Sequence, residues 1–437
     1  MDGRVSILIV LVLAGLLVAG CTQQPQVKDE LKIGVVASMT GPASTTGKDI
    51  WQSAVLAADE INNASGGVYV KNLGGKIPIR VILGDDESTR EGGQKAVTRL
   101  ITEDKVDALV GGFSSAVVSA HESVVSDNRV PYVVTGASSP VITHRTDVNT
   151  SSIFHHCPTT DDYGRQTTLF ASDDIREAIN GKFNYSANQP LRMALVYQDS
   201  PYGKGVQSAV MSTIEKENLP VVIVANETFK MGETDYHTIL TSVKAAGPDV
   251  VYAAAFLNEQ VPMVIQARRD VGLNAIFLAV ECNDDPDYYS GVGQYGENSI
   301  MESRFSPYAI PPGPLTDDIT AFKESYKQRW GGFPGMMGAS TYEGVYIIKQ
   351  AVENAGTKDK PAVIEALGAL NMPQIIEYMQ SGKITFTPDF RESKFDLYME
   401  QLIWNQTNQV VRPVIVWPEN IQQQPFVLPD WFEPGKG

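Results

Sequence analysis

Val106-Asp107-Ala108-Leu109-Val110-Gly111-Gly112-Phe113-Ser114-Ser115 is the stretch on which the architecture turns. A short apolar run stops at two glycines and passes through two serines into a segment whose Val117, Ala120 and Val124 recur at helical spacing. It reads as strand, tight turn, helix. Ser114 and Ser115 suit an N-cap, because a side-chain oxygen can accept from the free N–H groups of the first helical turn. The same N–H groups, with the helix dipole, suit a small anion such as a carboxylate. The glycines let a ligand approach the main chain. The turn is either an ordinary capped connection or one wall of a ligand site, and every α/β fold has several of the former.

The alternation repeats on both sides. Leu31–Ala37 reads as a strand, Ser38–Gly47 as a Gly/Ser/Thr-rich loop, and Trp51–Asn62 as a helix with Ala54, Ala58 and Ile61 on one face. Ile77–Leu83 is a strand, followed by Gly84-Asp85-Asp86 and a helix through Ala96, Leu100 and Ile101. Val130–Val134 is a further strand, ending in Thr135-Gly136-Ala137-Ser138-Ser139-Pro140. Four such units in a row predict a mostly parallel sheet covered by helices on both faces.

After about residue 156 the pattern starts afresh. Strands are predicted at Leu191–Val196, Val221–Val224, Val250–Ala255 and Ala275–Val280, with helices near 205–217, 235–246 and 259–271. A second set implies a second sheet, so the fold class is α/β with two doubly wound, Rossmann-like lobes. Segments 317–330, 338–355 and 361–370 are helix-like. Lys383–Thr387 and Phe395–Trp404 look like hairpin strands with Val410–Trp417, and no periodicity follows Ile421.

The length of 437 residues allows two substantial cores. A net charge of −16, from 35 basic and 51 acidic residues, argues against a nucleic-acid partner, which needs a basic footprint. At the N-terminus Arg4 precedes an apolar run that closes with Val18-Ala19-Gly20-Cys21. That ending resembles the lipobox of secreted lipoproteins, in which the cysteine is lipidated. Residues 1–21 are expected to be a lipoprotein signal peptide and 22–30 a tether, with a plain signal peptide or uncleaved anchor as the alternative. The remainder is then extracytoplasmic, held at the membrane through Cys21. Whether Cys157 and Cys282 pair stays open. There is no C-x-x-C, and His155-His156 beside Cys157 lacks a second cluster at ligand spacing, so neither metal nor cofactor is expected. Sequons at Asn149-Thr150-Ser151 and Asn226-Glu227-Thr228 allow glycosylation.

In open α/β sheets ligands bind beyond the carboxyl ends of the strands. There lie Ser38–Gly47, Gly111–Ser115, Thr135–Ser139, Asp199–Tyr202, Phe256–Glu259 and Glu281-Cys282-Asn283. The first lobe supplies hydroxyls and small residues, the second aromatics and a carboxylate. This is the inventory for a zwitterion: donors for a carboxylate, an anion and ring faces for an ammonium.

These residues resemble the periplasmic binding proteins of the branched-chain amino acid (Leu/Ile/Val) type. The resemblance is carried by Ile33-Gly34-Val35 through Thr40-Gly41-Pro42 and Gly47, Asp59-Glu60-Ile61-Asn62 with Gly66-Gly67, and Asp85-Asp86. It continues in Val110-Gly111 with Ser114-Ser115, Tyr202-Gly203, and Gln266-Ala267-Arg268 with Val271-Gly272-Leu273, over about residues 31–417. It implies a two-lobed clamp, joined by a hinge of three segments, that hands solute to an ABC-type permease. Lobe 1 is then 31–155 with 303–380, lobe 2 is 156–302 with 381–418, and 419–437 form a tail.

The family's carboxylate-binding positions fall on Ser115, Gly136, Ala137 and Ser138, and its ammonium-binding positions on Tyr202 and Glu281. Phe256 stands where the family often has tyrosine, and Thr46 where an aromatic often closes the side-chain pocket, which suggests a different or roomier apolar pocket. The expected ligand is a small amino acid with a branched-chain or other apolar side chain. The alternatives are an amide, urea-like or aromatic acid solute, or a ligand sensor. No enzyme is expected: Gly112-Phe113-Ser114-Ser115-Ala116 loosely resembles a hydrolase nucleophile elbow, but the histidine such an enzyme needs late in the chain is missing after His237. A monomer is expected.

Overall fold

The computed structural model describes residues 29–436, so the expected signal peptide and lipidated Cys21 lie outside the described residues. Two sheets organise the chain. The first has five parallel strands in the order Ile79–Asp85, Leu31–Ala37, Ala108–Gly111, Tyr132–Val134, Ile153–His155. The second has seven, in the order Val410–Trp417, Tyr398–Asn405, Ile300–Ser303, Ile276–Ala279, Val250–Ala254, Leu191–Gln198, Val221–Phe229. Its last five are parallel, and the C-terminal pair is added antiparallel at the edge. Helices cover both faces, so the central strands Ala108–Gly111 and Val250–Ala254 are buried throughout and apolar without alternation.

In each sheet the chain moves outward from its first strand to one side and then to the other, leaving a crevice at the strand ends. In the first sheet that crevice lies between Leu31–Ala37 and Ala108–Gly111, in the second between Leu191–Gln198 and Val250–Ala254. The two crevices are the facing rims of a clamp.

Three segments cross between the sheets. The chain leaves Ile153–His155 for the helix Thr160–Phe170, which packs on Pro201–Lys216. It returns after Ile300–Ser303 to the helices Thr316–Trp330 and Met336–Ala355, both packed on the helix Ser44–Ser65. It crosses last between Glu392, which bridges His155, and the strand Tyr398–Asn405. The fold is the expected two-lobed α/β clamp.

Several elements differ from the sequence reading. The helix Thr160–Phe170 and its continuation through Ala171–Ile175 to Phe183 were not foreseen. It begins with a capping box in which Thr159 and Asp162 satisfy each other's backbone N–H. Ile300–Ser303 is a fully buried strand next to a Pro/Gly/Asp-rich tract. Lys383–Ile384 pairs with Met372–Pro373, so the edge hairpin consists of Tyr398–Asn405 and Val410–Trp417 alone. The tail folds back: Phe432 is buried, Phe426 meets Phe170 edge-on at 5.9 Å, and the Gln401 amide exchanges two hydrogen bonds with the Val427 backbone. Cys157 and Cys282 are both buried free thiols, which answers the open question of their pairing. Among the described residues no helix is long and apolar enough to cross a membrane.

Candidate ligand-binding site

The Gly111–Ser115 turn bends where only glycine fits. Gly112 has φ +81°, and a β-carbon there would lie 2.2 Å from the Tyr132 hydroxyl. Ser114 occupies the N-cap position of the helix Ser115–Asp127 but makes no side-chain cap bond; its carbonyl accepts from Val117 and Val118 instead. Ser115 does not cap either. Its Oγ accepts the Ser139 N–H at 3.1 Å, which fastens the loop 135–139 to the start of the helix and brings the two halves of the first-lobe wall together.

Within that wall the expected residues differ. Gly136 sits against Met337 and Phe113, with room for no β-carbon: one would lie 2.9 Å from the Met337 sulfur. The Ala137 N–H is already engaged with the Gly112 carbonyl at 3.0 Å, and its carbonyl receives His155 Nε2 at 2.6 Å. Ser138 is buried, and its carbonyl accepts from the Thr160 N–H at 2.9 Å, at the start of the first crossing helix. The donors that geometry leaves to an anion are therefore the hydroxyls of Ser115 and Ser138 more than the Ala137 amide.

Tyr202 is placed by a firm helix start: Ser200 accepts from Gly203 N–H, and Pro201 takes the first helical position. Its ring stacks on Phe256 with centroids 5.3 Å apart, and Phe256 meets Phe113 of the first-lobe turn at 4.5 Å. A ladder of three rings thus spans the cleft. Two polar contacts accompany it: Asn258 donates to the Pro42 carbonyl at 2.6 Å and lies 3.4 Å from the Thr45 hydroxyl. The clamp is shut. Thr46 is buried beside Thr45 but makes no polar contact with the other candidates among the described residues.

Glu281 follows the strand Ile276–Ala279 and is fully buried. Its Oε1 accepts from the Tyr163 hydroxyl, while Oε2 has no hydrogen bond and lies 3.4 Å from Arg304 Nε. Arg304 is closer to Glu377, at 2.8 Å, donates to Ser340 Oγ at 2.7 Å and lies over the Phe395 ring. Glu377 neighbours His156, which hydrogen-bonds Glu343 at 2.8 Å and Ser393 at 2.9 Å. The three crossing segments each contribute: His156 the first, Arg304 the second, Ser393 and Phe395 the third. Burial pushes the Glu281 and Glu377 carboxyls up to about 7, against the pull of Arg304. Burial drops His156 to about 3, so it is neutral. His156, Glu343 and Glu377 offer donor atoms within 4.8 Å of one another, but Arg304 already supplies the cation against Glu377.

The structure thus joins Gly136 through Phe113 and Phe256 to Tyr202, and ties Ser115 to the loop carrying Ser138. It places Glu281 in a second, polar group that sequence reasoning missed, namely Tyr163, Arg304 and Glu377. Nothing local marks these three, since each meets Glu281 only through long-range packing. Phe113 could have been found, as the ring inside the turn itself.

Known proteins resemble this chain in sequence and in fold. The family model described as periplasmic binding protein matches residues 30–403. An amino acid binding protein of Pseudomonas aeruginosa is 27% identical over 77% of this chain and 82% of its own. The Leu/Ile/Val-binding protein BraC3 of Rhizobium johnstonii is 25% identical over 88% and 96%. The substrate-binding protein LivJ of Streptococcus pneumoniae, solved with isoleucine, superposes with a TM-score of 0.72 at 22% identity, covering 89% of this chain and 100% of that one. A solute-binding protein of Rhodopseudomonas palustris, solved with 3,4-dihydroxybenzoic acid, gives 0.72 at 19% identity, covering 91% and 99%. With its two-lobed fold and a model match over most of its length, the chain belongs to the periplasmic binding protein family.

Proposed function

We propose that this protein is the extracytoplasmic solute-binding component of an ABC transporter, without enzymatic activity, that closes on a small amino acid and delivers it to the permease. In this reading it is lipid-anchored through Cys21 and works as a monomer. Its lobes are 31–155 with 303–380 and 156–302 with 381–418. The carboxylate lies against Ser115, Gly136, Ala137 and Ser138, the ammonium against Glu281 and Tyr202, and the side chain along Phe256 near Thr46. The observation that carries it is Glu281 itself, a fully buried carboxylate whose Oε2 accepts no hydrogen bond and whose one nearby cation, Arg304 at 3.4 Å, is shared with the closer Glu377. Two buried carboxylates sharing one guanidinium leave room for a second positive charge, which an ammonium supplies. Contacts that form only on closure supply the bias a hinge equilibrium needs. The names of the relatives from Pseudomonas aeruginosa and Rhizobium johnstonii point to the same ligand class.

One observation favours a second reading, an aromatic acid. Arg304 stands 3.4 Å from Glu281 and lessens its need for an ammonium, and the three-ring ladder suits a flat ligand. Calorimetry with apolar amino acids, their amides and benzoate separates the two. Amino acids are expected to bind best; preference for benzoate or for amides overturns the assignment. Glu281→Gln is expected to weaken amino-acid binding by at least about 2 kcal/mol, roughly 30-fold. An unchanged affinity removes Glu281 from the site.

A further inference from the structure

Beside the aromatic ladder the cleft holds a second, acidic compartment. Asp49, on the first-lobe helix Ser44–Ser65, and Asp285, the N-cap of the helix Pro286–Val292 that follows Glu281, converge on Gly335. A β-carbon on Gly335 would lie 2.4 Å from Asp285 Oδ2 and 3.1 Å from Asp49 Oδ2. Both residues are more than nine-tenths buried: 6% of Asp49 and 8% of Asp285 is exposed. Asp49 Oδ2 accepts from the Gly338 N–H at 2.6 Å and Asp285 Oδ1 from the Asp287 N–H at 2.7 Å, whereas Asp49 Oδ1 has no partner. A cavity of about 450 Å³ opens beside them, walled by Tyr326, Trp330 and Phe333. Lys48, at its rim, is solvent-exposed and is the one basic residue lining it.

Two carboxylates drawn from opposite lobes into one buried spot repel each other unless a positive charge joins them. Burial and their mutual repulsion raise the Asp49 carboxyl, and burial raises Asp285 to about 7, so a positive charge between them favours the ionised forms that burial opposes. The cavity is far larger than a bare metal ion needs and is of the size that takes small organic ligands. Phe333 already has Lys323 and Lys327 over its ring at 5.0 and 4.8 Å, and Trp330 has Arg329 at 4.9 Å, so the charge of the two aspartates more than the ring faces favours an organic ammonium here. We propose that this compartment binds an organic primary ammonium ion, held between Asp49 of one lobe and Asp285 of the other. The site does not depend on which solute lies against Glu281. Its occupant acts as a clasp, because its two anions come from opposite lobes.

The probe is putrescine, compared with 1,4-butanediol, its uncharged analogue, and with sodium chloride at matched ionic strength, on the full protein. Putrescine is expected to raise the melting temperature and to bind in calorimetry, while the diol and the salt leave both unchanged. Asp285→Asn and Asp49→Asn are each expected to weaken putrescine binding at least about tenfold. The proposal is overturned if the diol or the salt reproduces the effect on the wild-type protein, or if putrescine has none. It is equally overturned if both variants keep wild-type putrescine affinity. Should a variant fail to fold, the wild-type comparison still decides. Isoleucine titrated separately into the wild-type protein tests the amino-acid reading, so either idea can fail alone.

Discussion

Tyr163 offers the mildest way to perturb Glu281, because its hydroxyl holds one carboxylate oxygen while the ring remains packed. That hydrogen bond lowers the Glu281 pKa, which burial has raised to about 7. Tyr163→Phe should therefore raise it further. Only the ionised form grips an ammonium, so amino-acid affinity is expected to climb as pH rises through 7, and in Tyr163→Phe the midpoint of that climb moves upward. At neutral pH the loss should be about 1 kcal/mol. Calorimetry across the pH range checks both, and an unmoved midpoint would detach Tyr163 from the carboxylate. Glu281 itself was legible as an acid at a strand end. Arg304 was not, because a lone arginine after Glu302-Ser303 in a Pro/Gly/Asp-rich tract reads as a solvated turn, and its partners Glu281 and Glu377 lie far away in sequence.

The helix Pro201–Lys216 shows how closely the elements behind the cleft are fitted. A β-carbon on Gly203 would lie 2.0 Å from the Gln198 carbonyl oxygen, and backbone cannot yield as a side-chain tip can. Gly203→Ala is expected to push the first helical turn off its strand, costing at least about 2 kcal/mol in chemical denaturation. Because that turn carries Tyr202, amino-acid affinity should fall as well; a variant with wild-type stability contradicts the fit. Most elements of this kind were legible, since apolar stripes at 3.6 spacing and unbroken apolar strands survive without tertiary context. The exceptions share a cause. Thr160–Phe170 is rich in Thr and Asp and packs through Tyr163, Gly164 and Thr167, so it has no apolar stripe to read. Ile300–Ser303 is four residues long, and its outer half, Glu302 and Ser303, is polar although fully buried.

Across the whole molecule the buried acids set the response to pH. Burial raises Glu122, Glu281, Glu377 and Asp285 to about 7, and Asp86 and Asp284 to about 6. Such groups bind protons more tightly folded than unfolded, so the stability they lend is complete below the ordinary carboxylate pKa and is lost as pH rises through 6 to 7. Glu392 runs the other way: although burial opposes it, its histidine and lysine neighbours lower it to about 2, and its contribution is lost only in stronger acid. The ligand-free protein is therefore expected to melt highest at about pH 4 and to lose several degrees by about pH 8. A thermal series with a flat profile over that range would contradict the burial of these acids. The two lobes were legible in the restart of the alternation near residue 156; that the joint between them would be polar was not, because it is assembled from three distant segments.

That joint has a mechanical meaning. A single tether would let two bodies swivel, slide and twist, whereas three ties running abreast, at His156, Arg304 and Phe395, leave one easy motion, folding about the line that links them. Each shutting stroke then returns Phe113 to Phe256 in the same register, as a door on several pins meets the same frame. A solute is then expected to be chosen by its fit to that one aperture, with no search among many ways of closing.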